Sequence, residues 1–150
     1  MYELGGKITL TDCEVAGIRS ESHEGWNGNH TSPTNVTVTI NGGTYTRDIF
    51  SSGQLTITDA TVNGTISATA LKNTYGAGDY TEDDYTLTMQ NVTVTYDSKI
   101  GLFLDAYCVS MEDGVMDIQN CTINSITGGI SANSCDAEII NCDIIVDSSS

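Results

Sequence analysis

The residues best equipped for binding chemistry lie in stretches that interrupt an otherwise regular sequence. The single tryptophan, Trp26, lies in the stretch Glu21–Thr34 together with both histidines. Aromatic rings stack on sugar rings, and amide or carboxylate groups beside them hydrogen-bond to sugar hydroxyls. We therefore predict a glycan-binding patch made of Trp26, His23, Asn29, Tyr75, Tyr80 and Tyr107. The alternative is that these rings fold down as small hydrophobic clusters over the underlying core.

A second stretch, Leu71–Asp84, carries closely spaced carboxylates that suit a hard cation. Calcium prefers such oxygen ligands, although the spacing matches no EF-hand loop. Calcium is the one cofactor that the sequence suggests, and a metal-free, solvated acidic loop is the alternative. The candidate ligands are Asp79, Glu82, Asp83 and Asp84. His23 and His30 lack further ligands at the spacing that a transition metal needs.

Acid–base catalysis needs two groups that converge on one substrate. The basic residues have no carboxylate constellation around them; they are Lys7, Arg19, Arg47, Lys72 and Lys99. Asp83 and Asp84 are adjacent, so they point to opposite sides if the chain there is extended. We leave the enzyme question open and favour a protein without catalytic residues.

A motif that recurs six times must position these stretches. It has two apolar residues two apart, a turn residue, and two more apolar residues two apart, in the segments Ile8–Val15, Val38–Tyr45, Leu55–Val62, Leu87–Val94, Met116–Ile123 and Ala137–Ile144. This alternation predicts strands with one buried face. The turn position favours a bent or left-handed backbone and hence a corner between two strands. It holds Asp12, Gly42, Asp59, Asn91, Asn120 and Asn141.

A third strand follows most copies of the motif. We place it at Gly17–Ser20, Asp48–Ser51, Thr65–Ala68, Gly101–Leu104 and Gly129–Ala132. Three strands per turn predict an all-β, three-sided solenoid, a right-handed parallel β-helix of about six rungs that forms a single domain over residues 1–150. An antiparallel sandwich remains the alternative, because Asn41-Gly42 and Asn63-Gly64 are hairpin signals.

The three longest non-repeating stretches all follow a predicted third strand. The third of them, Asp105–Gly114, joins the two described above. All three are therefore predicted to leave the solenoid at one corner, and loops clustered on a rigid scaffold are where binding sites are often built.

The cysteines fall into two groups. Cys13, Cys121 and Cys142 share one inward position of the motif and are predicted core residues, with a Cys121–Cys142 disulfide or stacked free thiols as alternatives. Cys108 and Cys135 are predicted at the loop corner of successive rungs and are the better disulfide candidates in an oxidising compartment. Because the chain has 5 cysteines, at least one stays unpaired or bridges chains.

The segments Asn35–Thr46 and Leu55–Val62 resemble rungs of right-handed parallel β-helix repeat proteins, the pectin lyase-like superfamily, of the secreted or bacterial cell-surface type. The resemblance covers nearly the whole chain. It implies the fold, and it leaves the activity open because the same coil carries lyases, hydrolases, phage tailspikes and adhesins. Lyases of this superfamily imply an Arg or Lys base beside calcium-binding carboxylates, a set that we do not find here.

Charge limits the partners. Lys and Arg total 5 against 20 Asp and Glu, for a net charge of −15, which repels nucleic acids and anionic lipid surfaces. No apolar run is long enough to insert in a membrane, and Met1–Lys7 lacks the features of a signal peptide, so we interpret the chain as a mature piece, whole or cut from a longer solenoid.

We therefore predict an extracellular or cell-surface solenoid without enzymatic activity, an adhesin or structural module with a glycan or cell-surface ligand at the loop corner. A polysaccharide-degrading enzyme is one alternative. Another is a fibre subunit that associates end to end through unpaired strand edges. A third is an ice-binding face built from outward threonine pairs, which are Thr9 and Thr11, Thr37 and Thr39, Thr56 and Thr58, and Thr86 and Thr88.

Overall fold

The computed structural model describes residues 6–20, 36–69, 85–97 and 107–147, and all regular structure in these ranges is β-strand. The strands are β1 (Gly6–Thr11), β2 (Glu14–Val15), β3 (Ile18–Ser20), β4 (Val36–Asn41), β5 (Thr44–Tyr45), β6 (Ile49–Ser51), β7 (Gln54–Thr58), β8 (Thr61–Asn63), β9 (Ile66–Thr69), β10 (Thr86–Gln90), β11 (Thr93–Tyr96), β12 (Tyr107–Gln119), β13 (Thr122–Ser125), β14 (Gly128–Ile140) and β15 (Asp143–Val146).

The strands form two sheets, and every strand pair among the described residues is parallel. The nine-stranded sheet runs in the order β1-β4-β7-β10-β12-β9-β6-β3, with β14 paired to β12. It is strongly curled, because the first half of β12 pairs with β9 while the second half pairs with β10. The six-stranded sheet has the order β15-β13-β11-β8-β5-β2.

The strands therefore lie in three stacked rows. The first row contains β1, β4, β7, β10 and the second halves of β12 and β14. The second row is the six-stranded sheet, and the third row contains β3, β6, β9 and the first halves of β12 and β14. The chain visits the rows in turn, an arrangement that fits a β-solenoid. The parallel pairing contradicts the sandwich alternative, and Asn41-Gly42 and Asn63-Gly64 connect rows instead of forming hairpins.

Alternation of inward apolar and outward polar residues within the strands forms the core. In β4, Val36, Val38 and Ile40 are buried while the threonines between them are half-buried on the outer face. The register places like residues above one another, so that inward side chains form columns such as Leu10, Ile40, Ile57, Met89, Ile118 and Ile139. Each fully buried aliphatic side chain of this kind stabilises the fold by about 1.5–3 kcal/mol.

The corner between the first and second rows has the left-handed backbone that the sequence predicts. Its non-glycine residues have φ between 50° and 55°, and Gly42 has φ of 76°; the non-glycine members are Asp12, Asp59, Asn91, Asn120 and Asn141. The backbone N–H of Asp59 donates to the Gln90 carbonyl at 3.0 Å, and the side-chain amide of Asn91 donates to an Asp59 carboxylate oxygen at 2.9 Å. Asn and Asp suit this column because they tolerate left-handed backbone and bond across to the next strand.

The third strand of the fourth motif copy is not where the sequence analysis put it. The predicted segment Gly101–Leu104 lies outside the described residues, whereas Val109 and Met111 of β12 pair with Ile66 and Ala68 of β9. The segment 107–112 takes this place because it offers alternating buried residues that continue the column of β9.

This correction also changes the loops. From Tyr107 onward the predicted loop Asp105–Gly114 is strand, and β12 continues through Gln119 with its bend at Asp113 (φ 56°) and Gly114 (φ 121°). The insertion in this copy falls between β11 and β12, before the third strand. Only two of the three long stretches therefore connect the third row to the first, and the prediction of one corner for all three was wrong.

The tight corner can be tested with glycine substitutions. A Cβ at Gly43, which has φ of 93°, would lie 2.2 Å from the Cys13 carbonyl oxygen. We expect Gly43→Ala to lower the free energy of unfolding by about 2–4 kcal/mol, since left-handed strain adds to a steric clash. Gly6→Ala is the matched control, because a Cβ there meets nothing within 4 Å. Urea unfolding followed by circular dichroism measures both; equal midpoints for the two variants would contradict the described corner.

Candidate functional site

The candidate site is the edge where the third row passes to the first, which we call the loop corner. Residues 21–35 connect β3 to β4 there, and residues 70–85 connect β9 to β10. Because one strand, β7, separates β4 from β10, the two insertions enter the first row roughly 10 Å apart, at about 4.8 Å per strand.

Between the two insertions, β6 passes to β7 through only Ser52 and Gly53. Ser52 is fully buried, and its backbone N–H donates to the Ser20 carbonyl at 3.0 Å. A Cβ on Gly53 would lie 2.2 Å from the carbonyl oxygen of Val36, so this link is short only because the residue is glycine. The tight link holds the exits of the two insertions at a fixed separation.

The second insertion ends on a fixed residue. Tyr85, which follows the predicted acidic ligands directly, is only 2% exposed, and its carbonyl accepts a hydrogen bond from the Val115 N–H at 3.0 Å. Tyr85 is a residue that the sequence analysis missed, although its position one residue before the inward-outward alternation of β10 was a usable signal. It anchors the insertion to the core at the loop corner.

Most of the predicted ligand residues lie outside the described residues. These are Trp26, His23, Asn29, Tyr75 and Tyr80 of the glycan patch and Asp79, Glu82, Asp83 and Asp84 of the calcium site. Their roles remain predictions. Within residues 6–20, 36–69, 85–97 and 107–147, no three His, Cys, Asp or Glu side chains are grouped so as to hold a metal ion.

Tyr107 is described, and it lies away from the loop corner. It begins β12, is 47% exposed, and its ring lies over Gly128, where a Cβ would come within 2.7 Å of Cδ1. The extended strand from Tyr107 to Asp113 separates it from the loop corner by roughly 20 Å. The structure therefore does not bring Tyr107 together with the edge that carries the two insertions.

The Cys108–Cys135 disulfide does not fit the register. All five cysteines are free thiols. Cys135 lies opposite Gly114 at the loop corner, whereas Cys108 lies near the start of β12, roughly 16 Å of extended strand from Asp113. The prediction failed because it took the residues around Cys108 for a corner loop, when they are the third strand.

The other three cysteines form the predicted column. Each thiol donates to the carbonyl two residues before it: Cys13 to Thr11 at 3.3 Å, Cys121 to Gln119 at 3.2 Å and Cys142 to Ile140 at 3.2 Å. Burial raises the pKa of the Cys121 thiol, and a contact with Cys142 contributes. A buried thiol with a raised pKa is a weak nucleophile, which fits a packing role for Cys121 in the core.

The outward threonines do not form a two-column array. The register aligns Thr9, Thr39, Thr56 and Thr88 in one ladder, which continues into Asp117 and Glu138. On one side of it, Thr11 aligns with Asn41 and Thr58; on the other, Thr37 aligns with Lys7, Gln54 and Thr86. A separate ladder of Thr44, Thr61, Thr93 and Thr122 lies in the second row. Neither face has the paired, matched columns on which the ice-binding alternative depends.

Two charged side chains near the third row have structural contacts. The Arg19 guanidinium lies 5.0 Å from the centre of the Phe50 ring, a cation–π contact. The Asp48 carboxylate accepts hydrogen bonds from the backbone N–H and the hydroxyl of Thr65, at 2.8 and 3.0 Å. These contacts tie neighbouring strands together and form no pair suited to acid–base work.

Comparison of the chain with protein-family models, with curated proteins and with solved structures gave no match. In the part of the chain that the structure describes, there is no helix of the length and apolarity needed to span a membrane.

Thiol reactivity tests the position of β12. Burial raises the pKa of Cys108 from 9.0 to about 12, so its thiolate population at pH 8 falls roughly 1000-fold. We expect iodoacetamide to leave Cys108 unmodified in the folded protein under conditions that label the half-buried Cys142, and to label both in urea. Peptide mass spectrometry reads both sites, and equal labelling of Cys108 and Cys142 in the folded state would contradict the burial of this strand.

The same pKa predicts a pH dependence of stability. An unfolded chain loses the Cys108 proton near pH 9, whereas the folded chain keeps it up to about pH 12. The contribution of this thiol to stability is therefore fully present below pH 9 and is lost as the pH rises toward 12. We expect the urea midpoint of Cys108→Ala to fall less steeply between pH 9 and 12 than that of the unchanged chain. Parallel falls in the two midpoints would contradict a raised pKa of Cys108.

Proposed function

We propose that this protein is an extracellular or cell-surface adhesin or structural module without enzymatic activity, and that it binds glycans at the loop corner. Its coil is a right-handed β-helix of about six rungs of the pectin lyase-like type. The two insertions form the ligand site, and the stacked strands act as their rigid frame.

One observation carries the proposal: two long insertions connect the same pair of rows, with a two-residue link between them. At the loop corner, the strands that the two insertions connect, β3 to β4 and β9 to β10, are separated only by the two-residue link between β6 and β7. Binding residues are commonly found on loops that a rigid scaffold holds together. The composition of these insertions suits a sugar, because they combine Trp26, Tyr75 and Tyr80 with amide and carboxylate groups.

The net charge of the chain restricts the chemical class of the ligand. A net charge of −15 opposes binding of acidic polymers, and the insertions themselves carry carboxylates. A neutral glycan, or one bridged through calcium at Asp79, Glu82, Asp83 and Asp84, is the ligand class that this surface favours. A polysaccharide-degrading enzyme has less support, because the described charged side chains Asp48 and Arg19 make contacts with Thr65 and Phe50 that link neighbouring turns of the coil.

A glycan array tests the proposal, run once with calcium and once with a chelator. We expect Trp26→Ala to weaken binding at least about tenfold, since loss of one stacking ring costs on the order of 1.4 kcal/mol or more. Tyr107→Ala is the matched control: it removes an exposed ring far from the loop corner and should leave the affinity unchanged. Loss of binding in chelator, reproduced by Asp83→Asn with Asp84→Asn, would assign calcium to the acidic insertion.

Two results would refute the proposal. One is the absence of saturable binding to any glycan in either buffer. The other is an equal loss of affinity in the Trp26 and Tyr107 variants, because only a site away from the loop corner would respond to both.

A further inference from the structure

Two thiols lie side by side at the corner between the first and second rows. Cys121 precedes β13 and Cys142 precedes β15, each directly after a left-handed corner residue. Two backbone hydrogen bonds fix their alignment. The Asn120 N–H donates to the Ile140 carbonyl at 2.9 Å, on one side of the pair. The Asp143 N–H donates to the Cys121 carbonyl at 2.9 Å, on the other side, so the two cysteines occupy the same position in adjacent motif copies.

The two thiols also affect each other. The Cys142 thiol donates to the Ile118 carbonyl of the neighbouring copy at 3.5 Å, besides its bond to the carbonyl two residues before it. Burial is the main cause of the raised pKa of Cys121, and the nearby Cys142 thiol raises it further. The two sulfur atoms are therefore neighbours across the gap between the copies.

No other pair of cysteines has this alignment. All 5 cysteines of the chain lie in the residues that the structure describes. Cys13 shares the column of Cys121, but three motif copies lie between them, which separates the two by roughly 19 Å at about 4.8 Å per strand. Cys108 and Cys135 lie near the start of β12 and at the loop corner, and the register brings neither of them next to Cys142.

We propose that Cys121 and Cys142 form a reversible dithiol–disulfide pair, which links two neighbouring motif copies when a small-molecule disulfide, RSSR, oxidises it. The two S–H bonds break and one S–S bond forms between the cysteines. The S–S bond of RSSR breaks and takes up the two electrons and two protons, so two molecules of RSH are released. This redox site does not depend on glycan binding at the loop corner.

The strand spacing makes this bond reversible. Adjacent parallel strands lie about 4.8 Å apart, so the two α-carbons are within the roughly 4.4–6.8 Å that a disulfide spans. Aligned side chains leave the β-carbons about equally far apart, whereas a relaxed disulfide holds its β-carbons about 3.8 Å apart. The strands must therefore approach each other locally when the bond forms. Because strained disulfides are easier to reduce than relaxed ones, the pair is a switchable link.

The surroundings accommodate both states of the pair. Each thiol donates only to backbone carbonyls, and a thiol is a weak donor, so oxidation gives up little hydrogen-bond energy. The same column position holds Gly43, Ala60 and Val92 in other motif copies. Alanine is therefore a suitable replacement for Cys121 in a test of the pair.

Equilibration of the full 150-residue chain with reduced and oxidised glutathione tests the pair. In excess oxidised glutathione, we expect one internal bond that joins Cys121 to Cys142. Asp-N digestion separates the two cysteines because it cuts before Asp136, and fragment spectra distinguish Cys121 from Cys135 in the same peptide. Excess reduced glutathione should restore both thiols.

Two variants make the assignment specific. Cys121→Ala removes one partner and should form no internal bond under the same conditions. Cys135→Ala is the matched control, because it removes a half-buried thiol at the loop corner and should keep the Cys121–Cys142 bond. The linkage in the unchanged chain decides the case even if a variant folds poorly.

Hydrogen exchange measures whether the bond links the two copies. A cross-link between β13 and β15 keeps these strands together when their hydrogen bonds open, so it opposes local unfolding. We expect oxidation to slow amide exchange in residues 122–146 at least about tenfold and to leave residues 36–45 unchanged. The Cys121→Ala variant should show no difference between the two glutathione buffers.

Three outcomes would overturn the inference. The first is the absence of a Cys121–Cys142 bond in oxidised glutathione while other cysteines are modified. The second is a bond that excess reduced glutathione does not break, which indicates a permanent cross-link. The third is a bond that forms without slowing exchange in residues 122–146, which indicates that it does not hold the two copies together.

Discussion

The parallel hydrogen-bond ladder between stacked strands is the constraint on which the rest of the structure depends. It requires that each residue lie directly over its counterpart in the next motif copy, so side-chain identity is decided column by column. The inward columns hold aliphatic residues, the corner column holds Asp, Asn or Gly, and the thiol column holds Cys13, Gly43, Ala60, Val92, Cys121 and Cys142. A residue that breaks its column disturbs two neighbours at once.

The local part of this pattern could be read from the sequence. Alternation of apolar and polar residues fixes the inward face, and a left-handed corner needs Gly, Asn or Asp, so the strands around Asp59 and Asn91 were predictable from eight-residue segments. Four of the third strands were also found where expected, at Ile18–Ser20, Ile49–Ser51 and Ile66–Thr69 and in the first half of β14.

The fourth copy was not predictable in this way. Both Gly101–Leu104 and Cys108–Met111 are apolar segments with strand character, and no local feature chooses between them. Pairing with β9 decides which segment becomes the third strand, and this contact joins residues more than 40 apart in sequence. For example, Ser110 aligns with Ser67, and their hydroxyls hydrogen-bond at 3.2 Å. The error about the disulfide followed from that single misplacement, since it moved Cys108 from a strand to a corner.

In the candidate site, the stacked strands and the two insertions have different roles. The stacked strands contribute two buried residues at the loop corner, Ser20 and Tyr85. The candidate ligand residues, apart from Tyr107, belong to the two insertions and not to the strands. Tyr107 illustrates the distinction: it has the right side chain for a sugar, but its place in β12 puts it on another part of the surface.

The two-residue link at Ser52 and Gly53 has an evolutionary consequence. Since the spacing of the two insertions is set by this link and by strand separation, their length and sequence are free to diverge without moving the points from which they emerge. Doubling the length of such a loop costs only about 0.6 kcal/mol in closure entropy. Selection could therefore change the sequences of the two insertions to suit new ligands while the stacked strands stay constant. This requires that position 53 remain glycine.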